Sequence, residues 1–399
     1  MTLPLSGVKV LDLSNVLAGP FCAYQLALLG AEVIKVEHPE GGDLARRLGA
    51  DKDASARNMG ASFVAVNAGK QSMTLNLKDP RGKAILRDLV KNADVLVENF
   101  RPGVMTRLGL DFDALREVNP KLVYCAISGF GKDGEFSKRP AYDQIIQGIS
   151  GVMSVTGDAG SAPLRVGYPV SDTVGGLTAA FGICAALVDA RTTGHGRMLD
   201  VSMLEATLST MGWVVSNYLN AGVTPEPMGN ENFTAAPSGT FHTGDGLLNI
   251  AANENKQFAS LCQLIGRADL LDDARYADRH ARKANRATLK AAIEAALASN
   301  SAVQWEEQCF QAGVPAGRVM SVPEILAHPH LASREFIHEF PGDDTHDRQR
   351  VTRAGFRLHD ADTAPTTPAP VLSAHTHEQL VSLGYDEAQI DHLRAEGVI

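Results

Sequence analysis

Val8-Lys9-Val10-Leu11-Asp12-Leu13, then Ala18-Gly19-Pro20 leading into residues 21–29, then Gly30 and Ala31-Glu32-Val33-Ile34-Lys35-Val36: this run decides the fold class. The two short apolar runs read as strands, and between them proline opens a helix that Gly30 stops. The pattern repeats downstream. Residues 73–77 read as a strand, Asp79-Pro80 starts a helix through Leu86, Leu89 and Val90, and 94–97 and 122–127 are further short strands. Strands alternating with helices predict an α/β fold, a Rossmann-like large domain around a parallel sheet.

Ligands gather at the carboxyl ends of such strands. Three loops there carry suitable chemistry: residues 14–20, residues 98–103, and Ser128-Gly129-Phe130-Gly131. The last continues to Gly134 and formally matches G-x-G-x-x-G, but no apolar helix follows it, so it reads as a glycine-rich turn. Lys78, Arg101, Arg107 and Arg139 are scattered cations that suit phosphates or a solvated surface. Further on, residues 165–171 form an extended segment ahead of Asp172. A long helix with Leu177, Ala180, Phe181, Cys184 and Leu187 on one spacing then follows. Asp172 stands where a carboxylate commonly caps a helix, and also where a turn with Gly167, Gly175 and Gly176 would present a nucleophile.

Residues 198–203 read as a strand and 204–219 as one helix, and Pro225-Glu226-Pro227 marks a boundary. Thr240-Phe241-His242 and Leu247-Leu248-Asn249-Ile250 flank Thr243-Gly244-Asp245-Gly246 as a hairpin, and helical spacings follow near 255–266, 284–298 and 303–312. The expected organisation is a large domain over 1–225, an inserted smaller α+β domain over 226–325, and a return to the large domain over 326–399. That last stretch includes an extended Pro/Thr-rich run at 360–370 and a closing helix at 387–396.

The chain has 399 residues, is 44% hydrophobic and carries a net charge of −9. This balance argues against nucleic acid as a partner. No apolar run approaches the roughly 20 residues of a membrane helix, and residues 1–5 show no signal pattern. Cys22, Cys125, Cys184, Cys262 and Cys309 form no C-x-x-C and read as reduced thiols of a cytoplasmic protein. His328-Pro329-His330 and His375-Thr376-His377 lack the convergent third and fourth ligands a metal needs, and there is no G-x-S-x-G elbow.

Taken together, several blocks resemble the family III CoA-transferases, the group of formyl-CoA transferase, carnitine CoA-transferase and the bile-acid-inducible proteins. They are P-L-S-G-V-K-V-L-D-L-S-N-V-L-A-G-P at 4–20, A-E-V-I-K-V-E at 31–37, V-E-N-F-R-P-G at 97–103, R-P-A-Y-D at 139–143, G-Y-P-V-S-D at 167–172, A-P-S-G-T-F at 236–241 and the Asp245-Gly246 pair. The resemblance implies transfer of CoA from an acyl-CoA to a small carboxylic acid through an aspartyl intermediate at Asp172. A dicarboxylate such as succinate is the expected donor acid. It implies CoA contacts at Leu17, Ala18, His38, Leu75, Lys78, Asn99, Phe100, Arg101, Arg107, Arg139 and Tyr142. It also implies an interlocked homodimer, no metal and no cofactor beyond the CoA thioester substrate. Position 38 carries Arg in some relatives, and the tetraglycine lid of formyl-CoA transferase has no counterpart here. The alternatives are a 2-methylacyl-CoA racemase and a non-catalytic CoA-binding protein. Racemases of the wider family carry His where this chain has Tyr142, and a phenol near pKa ~10 is a poor base at neutral pH.

Overall fold

The structure is a computed structural model, and it describes residues 2–342 and 347–399. By contacts the chain divides into two compact units. One comprises Met1–Val152, Arg165–Val223 and Ala332–Ile399, the other Met153–Leu164 and Thr224–Leu331.

The first unit is built on a parallel sheet of six strands: β1 (Lys9–Asp12), β2 (Glu32–Glu37), β3 (Lys70–Thr74), β4 (Val95–Glu98), β5 (Val123–Ser128) and β6 (Met198–Ser202). Their order is β3-β2-β1-β4-β5-β6, the doubly wound order in which the chain reverses direction between β1 and β4. Period-two alternation sends Val10, Val33, Val95, Val97, Val123 and Cys125 to one face and Leu11, Ile34, Leu96 and Tyr124 to the other. Both faces are covered, which is why these strands read as apolar runs rather than alternating ones.

Helix α1 (Ala18–Leu28) packs on the first face; α2 (Pro80–Val90) covers the second with Ile85, Leu86 and Leu89. The short α3 (Val104–Leu108) and α4 (Asp143–Ile149) follow β4 and β5 respectively. Then come α5 (Val170–Thr193), α6 (Met203–Thr210) and α7 (Gly212–Ala221). Helix α5 buries its small-residue face, Gly175, Gly176, Ala179, Ile183 and Ala186. A Cβ at Gly176 would sit 2.6 Å from the Ala18 carbonyl oxygen. Only glycine therefore lets α5 lie backbone to backbone on the start of α1.

The polar segment after residue 332 closes the other edge of the sheet. Gly69 N–H donates to the Thr367 carbonyl, Ser72 N–H to His375 Nδ1 at 3.1 Å, and Asn76 N–H to the Val398 carbonyl. Helices Thr376–Ser382 and Glu387–Ala395 then seat Leu380, Ile390 and Leu393 in the second core. An antiparallel pair, Ile337–Phe340 with Gln349–Thr352, also belongs to this segment.

The second unit carries an antiparallel sheet, β7 (Ser238–His242), β8 (Leu247–Ala251) and β9 (Ala316–Arg318). Phe241, Leu248 and Ile250 pack with Phe258, Leu261, Leu289, Ile293 and Trp305 from its helices. Trp305 Nε1 donates to the Leu297 carbonyl at 2.8 Å, so the indole is buried without a lost hydrogen bond.

Four expectations need correction. The strand expected at 73–77 lies at Lys70–Thr74, because Lys70 and Ser72, polar by type, are buried in it. The single helix expected at 204–219 is broken at Met211, which has φ −77° and ψ 17°, just before Gly212. Helix α5 begins at Val170, two residues ahead of Asp172. By length and mean hydropathy alone, α5 is also long and apolar enough to cross a bilayer, beyond the limit read from the sequence. Much of its small-residue face is nevertheless core.

Candidate active site

The site forms at the reversal between β1 and β4, where the loops leaving adjacent strands diverge. After β1 the chain makes a tight turn. Asn15 and Asn99 bind each other reciprocally: Asn15 N–H donates to Asn99 Oδ1, and Asn99 Nδ2 donates to the Asn15 carbonyl, both at 2.8 Å. The next residue, Val16, has φ 69°, a left-handed backbone that costs a β-branched residue energy and persists only under constraint. Asp43 supplies the constraint, accepting Val16 N–H at Oδ1.

Asp43 is held in turn by a buried ionic cluster. Lys35 lies 3.0 Å from Asp43 and 3.7 Å from Asp12, and donates to the Ser14 carbonyl at 2.7 Å. Lys70 reaches Asp12 and the Pro20 carbonyl, both at 2.8 Å. Burial alone would raise the Asp12 pKa, but Lys35 and Lys70 reverse this and bring it to about 2. Burial pushes Lys70 down to about 8, with Asp12 opposing. Charges in the interior persist when each has a partner and further hydrogen bonds, and here they fix the floor of the loop.

A cavity of about 290 Å³ opens above this loop. Its walls are residues 15–18 at the start of α1, residues 99–102 after β4, residues 127–129 of β5 and its turn, residues 139–142, Asp172 and Met203. Asp172 is the third residue of α5 and caps nothing with its side chain. The sequence reading of a capping carboxylate is thus corrected, because the helix starts earlier. The capping is done from another helix. Asp143 Oδ1 accepts the Ser171 N–H at 2.8 Å and the Asp172 N–H at 3.4 Å. Partial burial, and then the neighbouring Asp143 charge, raise the Asp172 pKa to about 7.

Of the residues expected to meet CoA, the structure brings Leu17, Ala18, Asn99, Phe100, Arg101, Arg139 and Tyr142 to this cavity with Asp172. His38, Leu75, Lys78 and Arg107 do not line it. His38 and Leu75 directly follow β2 and β3 at the same end of the sheet, Lys78 lies between β3 and α2, and Arg107 is on α3. The Arg139 guanidinium stacks on Phe136 at 4.0 Å and lies 3.8 Å from Glu135, leaving donors free toward solvent. Tyr142 is 67% exposed. Beside this cavity, Glu98 opens onto a second one of about 290 Å³. Burial lifts its pKa to about 7, although Phe100 N–H and the Tyr124 hydroxyl donate to it. Glu98 falls in the loop 98–103 that the sequence reading marked, whereas Asp43, which caps a short turn after β2, and Gln147, on α4, escaped it.

A non-capping carboxylate, two arginines and a helix start meet around one cleft at the strand ends of a doubly wound sheet, which makes this cleft the candidate active site. The chain belongs to CoA-transferase family III, whose sequence profile matches residues 5–376, and it is an enzyme of that class. It is 36% identical to a succinate–glutarate CoA-transferase of Agrobacterium fabrum, over 95% of this chain and 96% of that protein. It is 40% identical to an acetyl-CoA:oxalate CoA-transferase of Acetobacter aceti, over 84% and 85% respectively. Among solved structures it resembles a CaiB/BaiF family protein from Brucella suis, with a TM-score of 0.85 at 34% identity, covering 96% of this chain and all of that one.

Proposed function

We propose that the protein moves CoA from a short acyl-CoA to a small carboxylic acid, with a dicarboxylate such as succinate as the donor acid, and that Asp172 carries the CoA in between. The observation that supports it most is the Asp172 carboxyl facing the same cleft as the start of α1. The names of relatives that act on succinate and glutarate favour a dicarboxylate.

The Asp172 carboxylate attacks the donor thioester carbonyl and expels CoA thiolate, giving a mixed anhydride. The thiolate attacks the aspartyl carbonyl and releases the donor acid, leaving aspartyl-CoA thioester. The acceptor carboxylate attacks that thioester and expels the thiolate again. The thiolate then takes the acceptor acyl carbonyl, and Asp172 returns as carboxylate. Each step passes through a tetrahedral oxyanion, which backbone N–H groups stabilise. A carboxylate is a weak nucleophile in water, and partial removal from solvent makes it a better one. Arg101 and Arg139 suit the CoA phosphates, with His38, Leu75, Lys78 and Arg107 extending that surface along the strand ends. CoA enters as substrate and no separate cofactor takes part. Five free thiols accord with a cytoplasmic setting.

A homodimer belongs to this reading. Phe181 (78% exposed) on α5 and Trp213 (80% exposed) on α7 present large apolar side chains to the surface, with Val188, Tyr218 and Leu219. The racemase alternative is tested separately. A chiral 2-methylacyl-CoA in deuterated water without acceptor acid should gain no deuterium at the α-carbon, and rapid uptake would replace transfer by racemisation.

The test of the intermediate is mass spectrometry of the peptide spanning Pro163 to Asp189. With donor acyl-CoA present, hydroxylamine should convert Asp172 to the hydroxamate and borohydride should reduce it. An unmodified peptide under turnover would sink the mechanism.

A further inference from the structure

The extended chain ahead of α5 is stitched to α4 by two buried side chains. Asp143 Oδ1 accepts the Ser171 and Asp172 N–H groups. Its Oδ2 accepts from Gln147 Nε2 at 2.7 Å. The same Gln147 Nε2 lies 3.3 Å from the Tyr168 carbonyl, and Gln147 Oε1 accepts the Val166 N–H at 2.9 Å. Asp143 and Gln147 stand one turn apart on α4, so they share a face. Between them they engage residues 166, 168, 171 and 172, the whole approach to the reacting carboxyl. Gln147 is fully buried and Asp143 nearly so, so an amide or carboxylate left without its partner there would be costly.

We infer that Asp143 and Gln147 form a positioning clasp for the nucleophile, setting where the Asp172 carboxyl sits in the cleft. The inference rests on Asp172 being the nucleophile. Partial burial raises the Asp172 pKa first, and the Asp143 charge beside it raises it further. The other charged groups near the pair are Arg165, whose Nη2 lies 3.8 Å from Asp143 Oδ2, and Arg101 and Arg139 across the cleft; α1 and α6 bring Ala18 and Met203, which carry no charge. Asp143 accepts three hydrogen bonds, from Ser171, Asp172 and Gln147, and has Arg165 nearby, so its carboxyl is fixed in place at the head of α5.

The clasp makes a specific demand on amide geometry. Asp143→Asn can keep one acceptor toward Ser171, but then its NH₂ faces the Gln147 NH₂. Gln147 must either turn over and lose Val166 or stay as it is and lose its bond to position 143. Adding Gln147→Glu restores an acceptor that fits both the new NH₂ and the Val166 N–H.

The experiment is steady-state transfer across pH 5–9 for wild type, Asp143→Asn, and Asp143→Asn with Gln147→Glu, each with hydroxylamine trapping at Asp172. For Asp143→Asn the expected result is kcat down on the order of tenfold with donor KM held within about twofold, since positioning is lost and binding is not. The acidic limb of its kcat/KM profile should move to lower pH. The double variant should recover much of kcat. Wild-type kcat with an unmoved limb in Asp143→Asn, while wild type traps normally, overturns the clasp alone. A wild type that turns over without trapping at Asp172 removes the nucleophile and the clasp together. If Asp143→Asn does not accumulate folded, Gln147→Met decides. It keeps the Asp143 charge, so it should lower kcat and leave the limb in place, and an undiminished kcat overturns the clasp.

Discussion

Asp43 holds Val16 by a single hydrogen bond, Oδ1 to backbone N–H at 2.9 Å, and Val16 has φ 69°. The strained residue lines the cleft, while its tether is buried in the ionic cluster below. Cleft shape and core electrostatics are therefore one problem in this protein. Asp43→Ala should cost about 3–5 kcal/mol of unfolding free energy, as expected when one partner of a buried ion pair is removed. Transfer rate should fall with it as residues 15–17 relax. Urea unfolding and kcat measured on the same preparation check both halves.

The Asp172 carboxyl works against stability. Its folded pKa of about 7 lies above the usual 3.8, so the folded state binds the proton more tightly than the unfolded chain. The penalty is absent below pH 3.8, grows as pH rises, and is complete above about 7. Asp172→Asn should abolish transfer and yet raise stability at pH 8, on the order of 2 kcal/mol after allowing for partial exposure. Near pH 3.5 the gain should vanish. Thermal melts at the two pH values test the sign, and equal shifts at both would contradict it.

Transfer itself should follow ionisation of the same group. With half-ionisation at about pH 7, kcat/KM should climb through neutrality and level off above it. A profile flat from pH 5.5 upward would mean an ordinary carboxylate does the chemistry.

Arg101 and Arg139 line the cleft on opposite loops, one after β4 and one after β5, and neither is committed to a tight ion pair. Replacing either with Ala should raise KM for the acyl-CoA on the order of tenfold, the worth of a charge-assisted contact, with kcat nearly unchanged. A truncated thioester lacking the nucleotide should be insensitive to both changes. Kinetics with the two substrates compare directly.

Phe181→Asp and Trp213→Asp place charge on the exposed apolar helices α5 and α7. Each should convert the proposed homodimer to monomer in light scattering, without disturbing the sheet core. An unaltered mass for both would move the association surface elsewhere.

Short apolar runs separated by helical patterns made most of the sheet legible in the sequence, since a strand covered on both faces reads as a largely continuous apolar run. The loops after β1, β4 and β5 were legible for the same reason: strand ends fix where loops begin. Asp172 was visible as a position, but its environment was not. Its neighbour Asp143 lies 29 residues away in sequence and reaches it only through packing of α4 on α5. Lys70 was unreadable as a strand residue because its partner, Asp12, is 58 residues distant. The exposed side of α5 defeats periodicity too. Leu177 and Phe181 carry the apolar signal while Gly175, Gly176 and Ala179 carry the packing.

The edge of β3 has a consequence for the order in which the protein can be completed during synthesis. Ser72 finds His375 as partner only 303 residues later in the chain. At ribosomal rates of about 5–20 residues per second, that interval is on the order of half a minute. For all of it the nascent sheet carries an open strand edge, the kind that recruits other chains. Yield of this protein should therefore depend on translation speed and on chaperones that shield a strand edge, more than its stability once finished would suggest.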